Sequence, residues 1–302
     1  MPAALSGMIG GAAKHCQAKP RFAIAVSALI IHGRAGPRSE NQAMSKTKLT
    51  YAHQDGVALL TLDNPPFNLL TLVMTHELNA LMPRLAEDQA VRALVLTGSG
   101  EWAFCAGSDV KEFPQVADAV VPKKLAPENE AYSRIAEFPK PTIAALNGLA
   151  FGGGLELAAC CDLIIAEADT MVALPEIKLG VFPGSGGTIR VTRRIGEGRA
   201  KEMMFLGEPV AVETALAWGL VNRVAPRGSA VAVALEIARQ LSAMPNVALQ
   251  LCKQAIAMTF DRSEREAVEA TLALSDRAFR TEDCAEGVRA FFAKEPPRFQ
   301  HR

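Results

Sequence analysis

Asn147-Gly-Leu-Ala-Phe-Gly-Gly-Gly-Leu-Glu-Leu-Ala-Ala-Cys-Cys161 is a glycine-rich turn that opens an apolar helix carrying a single charge, Glu156. Before it, Thr142–Leu146 reads as a strand behind the helix-stopping Pro139 and Pro141; after it, Leu163–Ala166 and Met171–Ala173 read as short strands. A strand, a tight turn, a short helix and another strand point to layered α/β structure. The three glycines leave the first helical amides uncovered by side chains. Those amides have no partner inside the helix and sit at the positive end of its dipole, so they can hold an anion or a developing oxyanion. The same glycines also fit tight packing of helix against strand, where any Cβ would clash. The triplet does not match G-x-G-x-x-G, and no Lys-Ser/Thr pair follows it, so it is not a nucleotide fingerprint.

Glu156 has two readings. An acid in a first helical turn is stabilised by the dipole; a carboxylate in apolar surroundings has a raised pKa that suits acid/base chemistry. Glu176, placed just after Pro175 at a second predicted helix start, has the same two readings. It lies in the stretch Leu174-Pro-Glu-Ile-Lys-Leu-Gly-Val-Phe-Pro-Gly-Ser-Gly-Gly187. A third cluster, Phe104-Cys-Ala-Gly-Ser-Asp109, reads as a turn after a strand.

Upstream, Val57–Leu62 is predicted as a buried strand ended by Asp63-Asn64-Pro65-Pro66, and residues 75–85 as a helix with Leu78, Leu81, Met82 and Leu85 on one face. Residues 91–97 form another apolar strand closed by Gly98-Ser99-Gly100. Residues 101–111 read as a polar loop, the stretch to Pro127 has weak periodicity, and residues 129–137 read as a helix. From Gly186 onward the pattern is almost entirely helical, as in 200–206, 212–218, 230–244, 247–258 and 263–279.

The 302 residues carry 32 basic and 32 acidic side chains and are 49% hydrophobic, an ordinary globular composition. A neutral chain has no bulk attraction to nucleic acid. The six cysteines, at 16, 105, 160, 161, 252 and 284, show no metal-ligand spacing and read as buried, reduced thiols. Residues 1–43 differ from the rest: five bases against one acid give them +4 and leave −4 for the remainder. Their apolar run, Phe22 to Ile31, is half the roughly 20 residues a bilayer span needs. This segment reads as a targeting sequence or a start codon called too early, with Met44 as the true start, and is set aside as disordered. The expected organisation is therefore 1–43 as an extension, 44–242 as the core and 243–302 as a helical region.

Taken together, the clusters resemble the enoyl-CoA hydratase/isomerase (crotonase) family from about Leu49 to Phe299. The likeness rests on Ala103-Phe-Cys-Ala-Gly-Ser-Asp-Val-Lys-Glu112, Lys140-Pro-Thr-Ile-Ala-Ala-Leu-Asn-Gly148, Gly152-Gly-Gly-Leu-Glu156, Pro175-Glu-Ile-Lys-Leu-Gly180 and Pro183-Gly-Ser-Gly-Gly-Thr188. The resemblance implies an α/β spiral of ββα units with a helical C-terminal part that builds homotrimers or hexamers. It implies an oxyanion hole from the backbone N–H groups of Ser108 and Gly153. It also implies coenzyme A contacts along Cys105, Ala106, Gly107, Ser108 and Asp109. Glu156 would activate water for addition at Cβ and Glu176 would deliver the proton at Cα. Both donors being main-chain, a serine at 108, where alanine is common in the family, should leave the hole intact. No metal or redox cofactor, no nucleic acid and no membrane is implied; coenzyme A is part of the acyl-CoA substrate, and a cytoplasmic location follows, or a mitochondrial matrix one if residues 1–43 are a presequence.

There are departures. Ile189 and Val191-Thr192 stand where the family commonly has Gln and Leu-Pro, and residues 114–127, where the family lines the acyl pocket, match no fixed pattern. Lys294 reads as an exposed end-of-helix lysine or, by resemblance, a contact to a coenzyme A phosphate in a neighbouring subunit. The expected reaction is hydration of a 2-enoyl-CoA. Isomerisation, or another acyl-CoA reaction on the same scaffold, is the alternative. An RNA-binding or catalytically silent relative is a more distant one, which the neutral charge and the two glutamates oppose.

Overall fold

Continuous apolar runs, rather than alternating ones, are what strands buried on both faces require, and the central strands carry them. The computed structural model describes residues 47–302; the expectations for residues 1–43 and for Cys16 lie outside the described residues. A hairpin, β1 (Leu49–Gln54) and β2 (Val57–Leu62), is followed by helix α1 (Leu72–Glu87), capped by the Thr71 side chain on the Met74 amide. Then come β3 (Ala93–Gly98), β4 (Ala103–Cys105), the short helix α2 (Phe113–Val116), a π-type turn at Val121–Leu125 and helix α3 (Ala126–Ala136). The strands β5 (Thr142–Leu146) and β6 (Leu149–Phe151) lead into α4 (Gly153–Ala158), and β7 (Leu163–Glu167) and β8 (Met171–Ala173) into α5 (Gly187–Ile195) and α6 (Glu197–Leu206). The chain continues through β9 (Val210–Ala211), α7 (Val212–Trp218), β10 (Arg223–Ala225), α8 (Ala230–Ser242), α9 (Asn246–Ala257), α10 (Glu264–Phe279) and α11 (Glu282–Ala293).

From β3 to β8, successive strands are dealt alternately to two sheets. One sheet has the order β1-β2-β3-β5-β7-β10 and the other β4-β6-β8-β9. Each pair β3/β4, β5/β6 and β7/β8 thus gives one strand to each sheet before a helix follows, which is the expected spiral. All pairings in the large sheet are parallel except β1 with β2. The register sets Leu60, Leu96, Ala144 and Ile164 side by side in the main core, which also holds Leu78, Phe104 and Leu155. Their neighbours Val95, Ile143 and Ile165 point the other way, into a smaller core closed by Ala230, Ala234 and Ala238 of α8. A one-residue slip would exchange the two sets, so the parallel register is firmly specified.

Three sequence-based expectations change. The loop at 101–111 contains the fully buried β4, too short to show a period. The weakly patterned stretch before Pro127 is largely helical, and α3 starts three residues earlier than expected because Pro127 is tolerated in a first turn. The Gly-opened helix ends at Ala158 rather than Cys161. Cys105, Cys160 and Cys161 are buried free thiols, whereas Cys252 is exposed on α9. Lys294 is an exposed residue in left-handed conformation at the end of α11. Among the described residues, no helix is long and apolar enough to cross a membrane.

Candidate active site

The glycine triplet has a separate physical reason at each position. Gly152 caps α4 with φ +51, a conformation side chains rarely adopt, and a Cβ there would sit 3.1 Å from Oε1 of Glu176. Gly154 lies against β4, where a Cβ would fall 2.1 Å from the Cys105 carbonyl oxygen. Gly153, between them, starts the helix, and a Cβ on it would be 3.4 Å from the Ser108 hydroxyl. Packing therefore accounts for Gly154, and backbone conformation for Gly152. The Gly153 nitrogen lies beside the Ser108 loop, 3.7 Å from where a Cβ on Gly107 would sit.

The residues from Cys105 to Asp109 are brought to that turn. Leu70 bridges Ser108 in parallel, its N–H donating to Gly107 O and its carbonyl accepting from Asp109 N. Gly107 has φ +102, and a Cβ there would meet the Phe151 carbonyl at 3.2 Å. The Ala106 amide donates to Phe67 O, and Asp109 caps the next turn by accepting from Lys111 N. Cys105 is fully buried, which pushes its thiol up to about 12 and removes it as a nucleophile. The ladder uses the Gly107 carbonyl and the Asp109 amide on either side of Ser108, and the Gly107 amide donates to Cys105 Sγ. Among the described residues, neither the Ser108 nor the Gly153 amide has a protein acceptor.

Both glutamates stand at this place. Glu156, 3% exposed, is held by the loop before α5: its Oε1 accepts from Ser185 N at 2.9 Å and from Gly187 N at 2.8 Å. Gly187 has no room for a side chain, since a Cβ would lie 2.6 Å from Glu156 Cγ. The glycines at 184, 186 and 187 thus let the backbone close over this carboxylate. Burial pushes Glu156 up to about 7; the Gly187 and Ser185 amides work against that, and the charge of Glu128 adds to it. Glu176 opens a 3₁₀ turn, Glu176–Leu179, closed by Gly180 with φ +76. Its Oε2 is buried with no hydrogen-bond partner, an uncommon condition for a buried polar atom. Burial also pushes Glu176 up to about 7; its own amide opposes this, and the charges of Glu156 and Glu128 add. Two carboxyls that titrate near neutrality on one site can hold one proton between them, one as acid and one as base.

Sequence reasoning missed a third carboxylate. Glu128 of α3 is 1% exposed and pairs with Lys124 at 2.6 Å. Tyr132, one turn further, donates its hydroxyl to the Gly153 carbonyl at 2.8 Å. The signal was present as the spacing Lys124, Glu128, Tyr132, which repeats every four residues along one helix face. It was hidden because 114–127 showed no period. On the same helix, Asn129 donates to Gly184 O at 2.9 Å and tethers the loop that grips Glu156. Ile189 is exposed, so the departure from the family at that position does not reach these groups.

A model of the enoyl-CoA hydratase/isomerase family matches residues 52–302. A probable enoyl-CoA hydratase of Mycobacterium bovis is 37% identical over 249 residues, covering 82% of this chain and 95% of that protein. The 2,3-dehydroadipyl-CoA hydratase of Escherichia coli is 35% identical, covering 85% of this chain and all of that one. The crystal structure of an enoyl-CoA hydratase from Bacillus anthracis superposes with a TM-score of 0.82 at 31% identity, covering 85% of this chain and 100% of that chain.

Proposed function

The chain belongs to the enoyl-CoA hydratase/isomerase family, and from that premise we propose that it is a hydro-lyase adding water across the 2,3 double bond of a 2-enoyl-CoA to give the 3-hydroxyacyl-CoA. The observation that carries this reading is the pairing of a buried glutamate, Glu156, with a half-buried one, Glu176, both raised to about 7, beside two amides that have no acceptor among the described residues. The amides of Ser108 and Gly153 polarise the thioester carbonyl and stabilise the enolate-like charge formed when a group adds at Cβ. Glu156, oriented through one oxygen by the 185–187 backbone, leaves Oε2 to take a proton from the attacking water. Glu176 supplies the proton at Cα, and its orphaned Oε2 gains a partner there. The thioester's adenine end is held along Cys105–Asp109 by main-chain groups. The step is redox-neutral: the water oxygen bonds Cβ as its proton passes to Glu156, the C=C electron pair moves toward the thioester carbonyl, and Glu176 returns a proton at Cα.

Incubating purified protein with crotonyl-CoA tests the reading. The expected result is loss of the conjugated-thioester absorbance, with a product heavier by one water. An unchanged mass with a moved double bond would replace hydratase by isomerase. Glu156→Gln separates the same two reactions, since an isomerase moves its proton with Glu176 alone and would keep nearly full turnover.

The rate should follow pH as a bell centred near neutrality. One carboxylate must be ionised and the other protonated, so kcat rises through the first apparent pKa of the pair and falls through the second. Both values fall above the usual carboxylate range because burial raises both groups. A profile flat from pH 5 to 9 would remove the pair from the rate-limiting step.

We also propose that the C-terminal helices assemble the chain into a homotrimer or a hexamer. Phe279 of α10 and Phe291 and Phe292 of α11 are each more than three-quarters exposed, and Val268 and Leu272 extend the apolar face. Such a surface on a single chain favours association. Light scattering is expected to give three or six times 32.2 kDa, and Leu272→Glu combined with Phe291→Glu is expected to lower that mass. A monomer in the unaltered protein would end this proposal.

A further inference from the structure

Lys124, Glu128 and Tyr132 form a continuous buried chain between Ser108 and Gly153, the two residues proposed above to supply the oxyanion amides. Lys124 Nζ donates to Glu128 Oε2 at 2.6 Å and to the Ser108 hydroxyl at 3.0 Å. Glu128 Oε1 lies 3.4 Å from both the Ser108 and the Tyr132 hydroxyl oxygens. Tyr132 donates to the Gly153 carbonyl. Ser108 and Gly153 are 45 positions apart in the sequence, one in the loop after β4 and the other at the start of α4, and this brace of side chains links them directly. The helix winds as a π-turn over Val121–Leu125, at Lys124 itself, and such turns are frequent where a side chain must be re-aimed at a site.

Stability does not explain a charged pair here. Desolvating a lysine and a glutamate costs several kcal/mol per ion, and replacing such a pair with apolar residues of similar volume is often neutral or stabilising. A leucine and a methionine would anchor α3 as well. The pair supplies something apolar residues lack: directional bonds that fix Ser108 and, through Tyr132, the carbonyl of Gly153. The bonds act on Ser108 through its side chain and on Gly153 through the carbonyl of the following peptide, so both donor residues are restrained from the side away from their amides.

We propose that Lys124, Glu128 and Tyr132 are positioning residues that hold the Ser108 and Gly153 amides in mutual register, and that the Ser108 hydroxyl is a working joint of this brace. The proposal rests on the oxyanion role given above. It assigns the serine at 108 a function that its main-chain amide alone does not require.

The test compares Lys124→Met/Glu128→Leu, Ser108→Ala and Tyr132→Phe with the unaltered protein, by kcat and KM on crotonyl-CoA and by the enolate absorbance of bound acetoacetyl-CoA. The enolate reports stabilised negative charge on the thioester side without any turnover. The double variant is expected to keep or raise Tm, keep KM within about threefold, and lose roughly tenfold or more in kcat with a matching loss of bound enolate, since small misplacements of a site group are costly. Ser108→Ala and Tyr132→Phe should lose in the same direction, each less. A double variant with unaltered kcat and unaltered enolate would overturn the brace while leaving the hydratase reading standing. Unaltered protein that neither enolises bound acetoacetyl-CoA nor turns over crotonyl-CoA would overturn both.

Discussion

Glu176→Gln is expected to lower kcat by roughly 10²–10⁴, the usual worth of a positioned proton donor, while making the protein more stable at pH 8. The two effects share one cause. Glu176 is held at about 7 because its carboxyl is largely out of water and Oε2 has no partner. The folded state therefore binds this proton more tightly than the unfolded state, whose carboxyl sits near the ordinary value. Stability linked to the group is intact below about pH 4.5. It is lost as pH rises toward 7, and the loss is complete above that. Gln carries no charge and escapes the loss, so the variant gains about 1–2 kcal/mol at pH 8 once partial exposure is allowed for. At pH 4.5 the gain vanishes. Thermal unfolding at both pH values, with kcat at pH 8, checks the pair of effects. A retained kcat removes Glu176 from the reaction. A Tm lowered at both pH values would make the carboxylate a structural group instead.

The trade of stability for function is visible in how the two glutamates are held. Glu156 has two backbone donors on one oxygen, which fixes its direction and partly offsets its burial. Glu176 has only its own amide opposing burial. A base that must aim at a water benefits from being oriented. A proton donor left without a partner is poised to lose its proton to the substrate. The different environments match the different roles proposed for the two residues.

How far the site was legible depended on whether its parts were local. The strands Val57–Leu62 and Thr142–Leu146 announced themselves as apolar runs, and the turn at 152–154 as a run of glycines; the structure has all three where the residues place them. Glu156 stood out as the lone charge of an apolar helix start, and Glu176 as an acid directly after Pro175. The structure brings both to the Ser108–Gly153 turn. What stayed hidden was relational. β4 is three residues long and is recognisable only through its neighbour β6. β10, also three residues, is a strand only because β7 lies beside it. Lys124 lies within, and Glu128 just after, the stretch that shows no period, and nothing in the local sequence says that they will meet the Ser108 hydroxyl. Cys105 was readable as apolar, but the reason Gly154 must be glycine, the carbonyl of that same cysteine, is a contact across 49 positions.

That contact gives the second large effect. Gly154→Ala places a methyl group 2.1 Å from the Cys105 carbonyl oxygen and 2.8 Å from its carbonyl carbon, distances that no rotamer can relieve because both partners are backbone. Either β4 leaves the small sheet or α4 tilts away from it. Overpacking in a closed core costs about 1–3 kcal/mol, and a backbone partner puts this substitution at the upper end. The displaced element carries the site: Cys105 leads into Ser108, and Gly153 is the residue before the new methyl. A shift near 1 Å between them can cost about 10²-fold in rate even in molecules that remain folded. The expected result is a Tm lowered by several degrees together with a kcat loss in the fraction that stays soluble. Gly198→Ala is the matched control. It is the second residue of α6, its φ is not positive, and a Cβ there meets nothing within 4 Å. Replacing glycine by alanine where the backbone already suits alanine stabilises by about 0.4–1 kcal/mol, so this variant should unfold at or above the unaltered temperature with full activity. Equal behaviour of the two variants would mean that β4 and α4 can separate without cost, and the oxyanion donors would then not depend on their close approach.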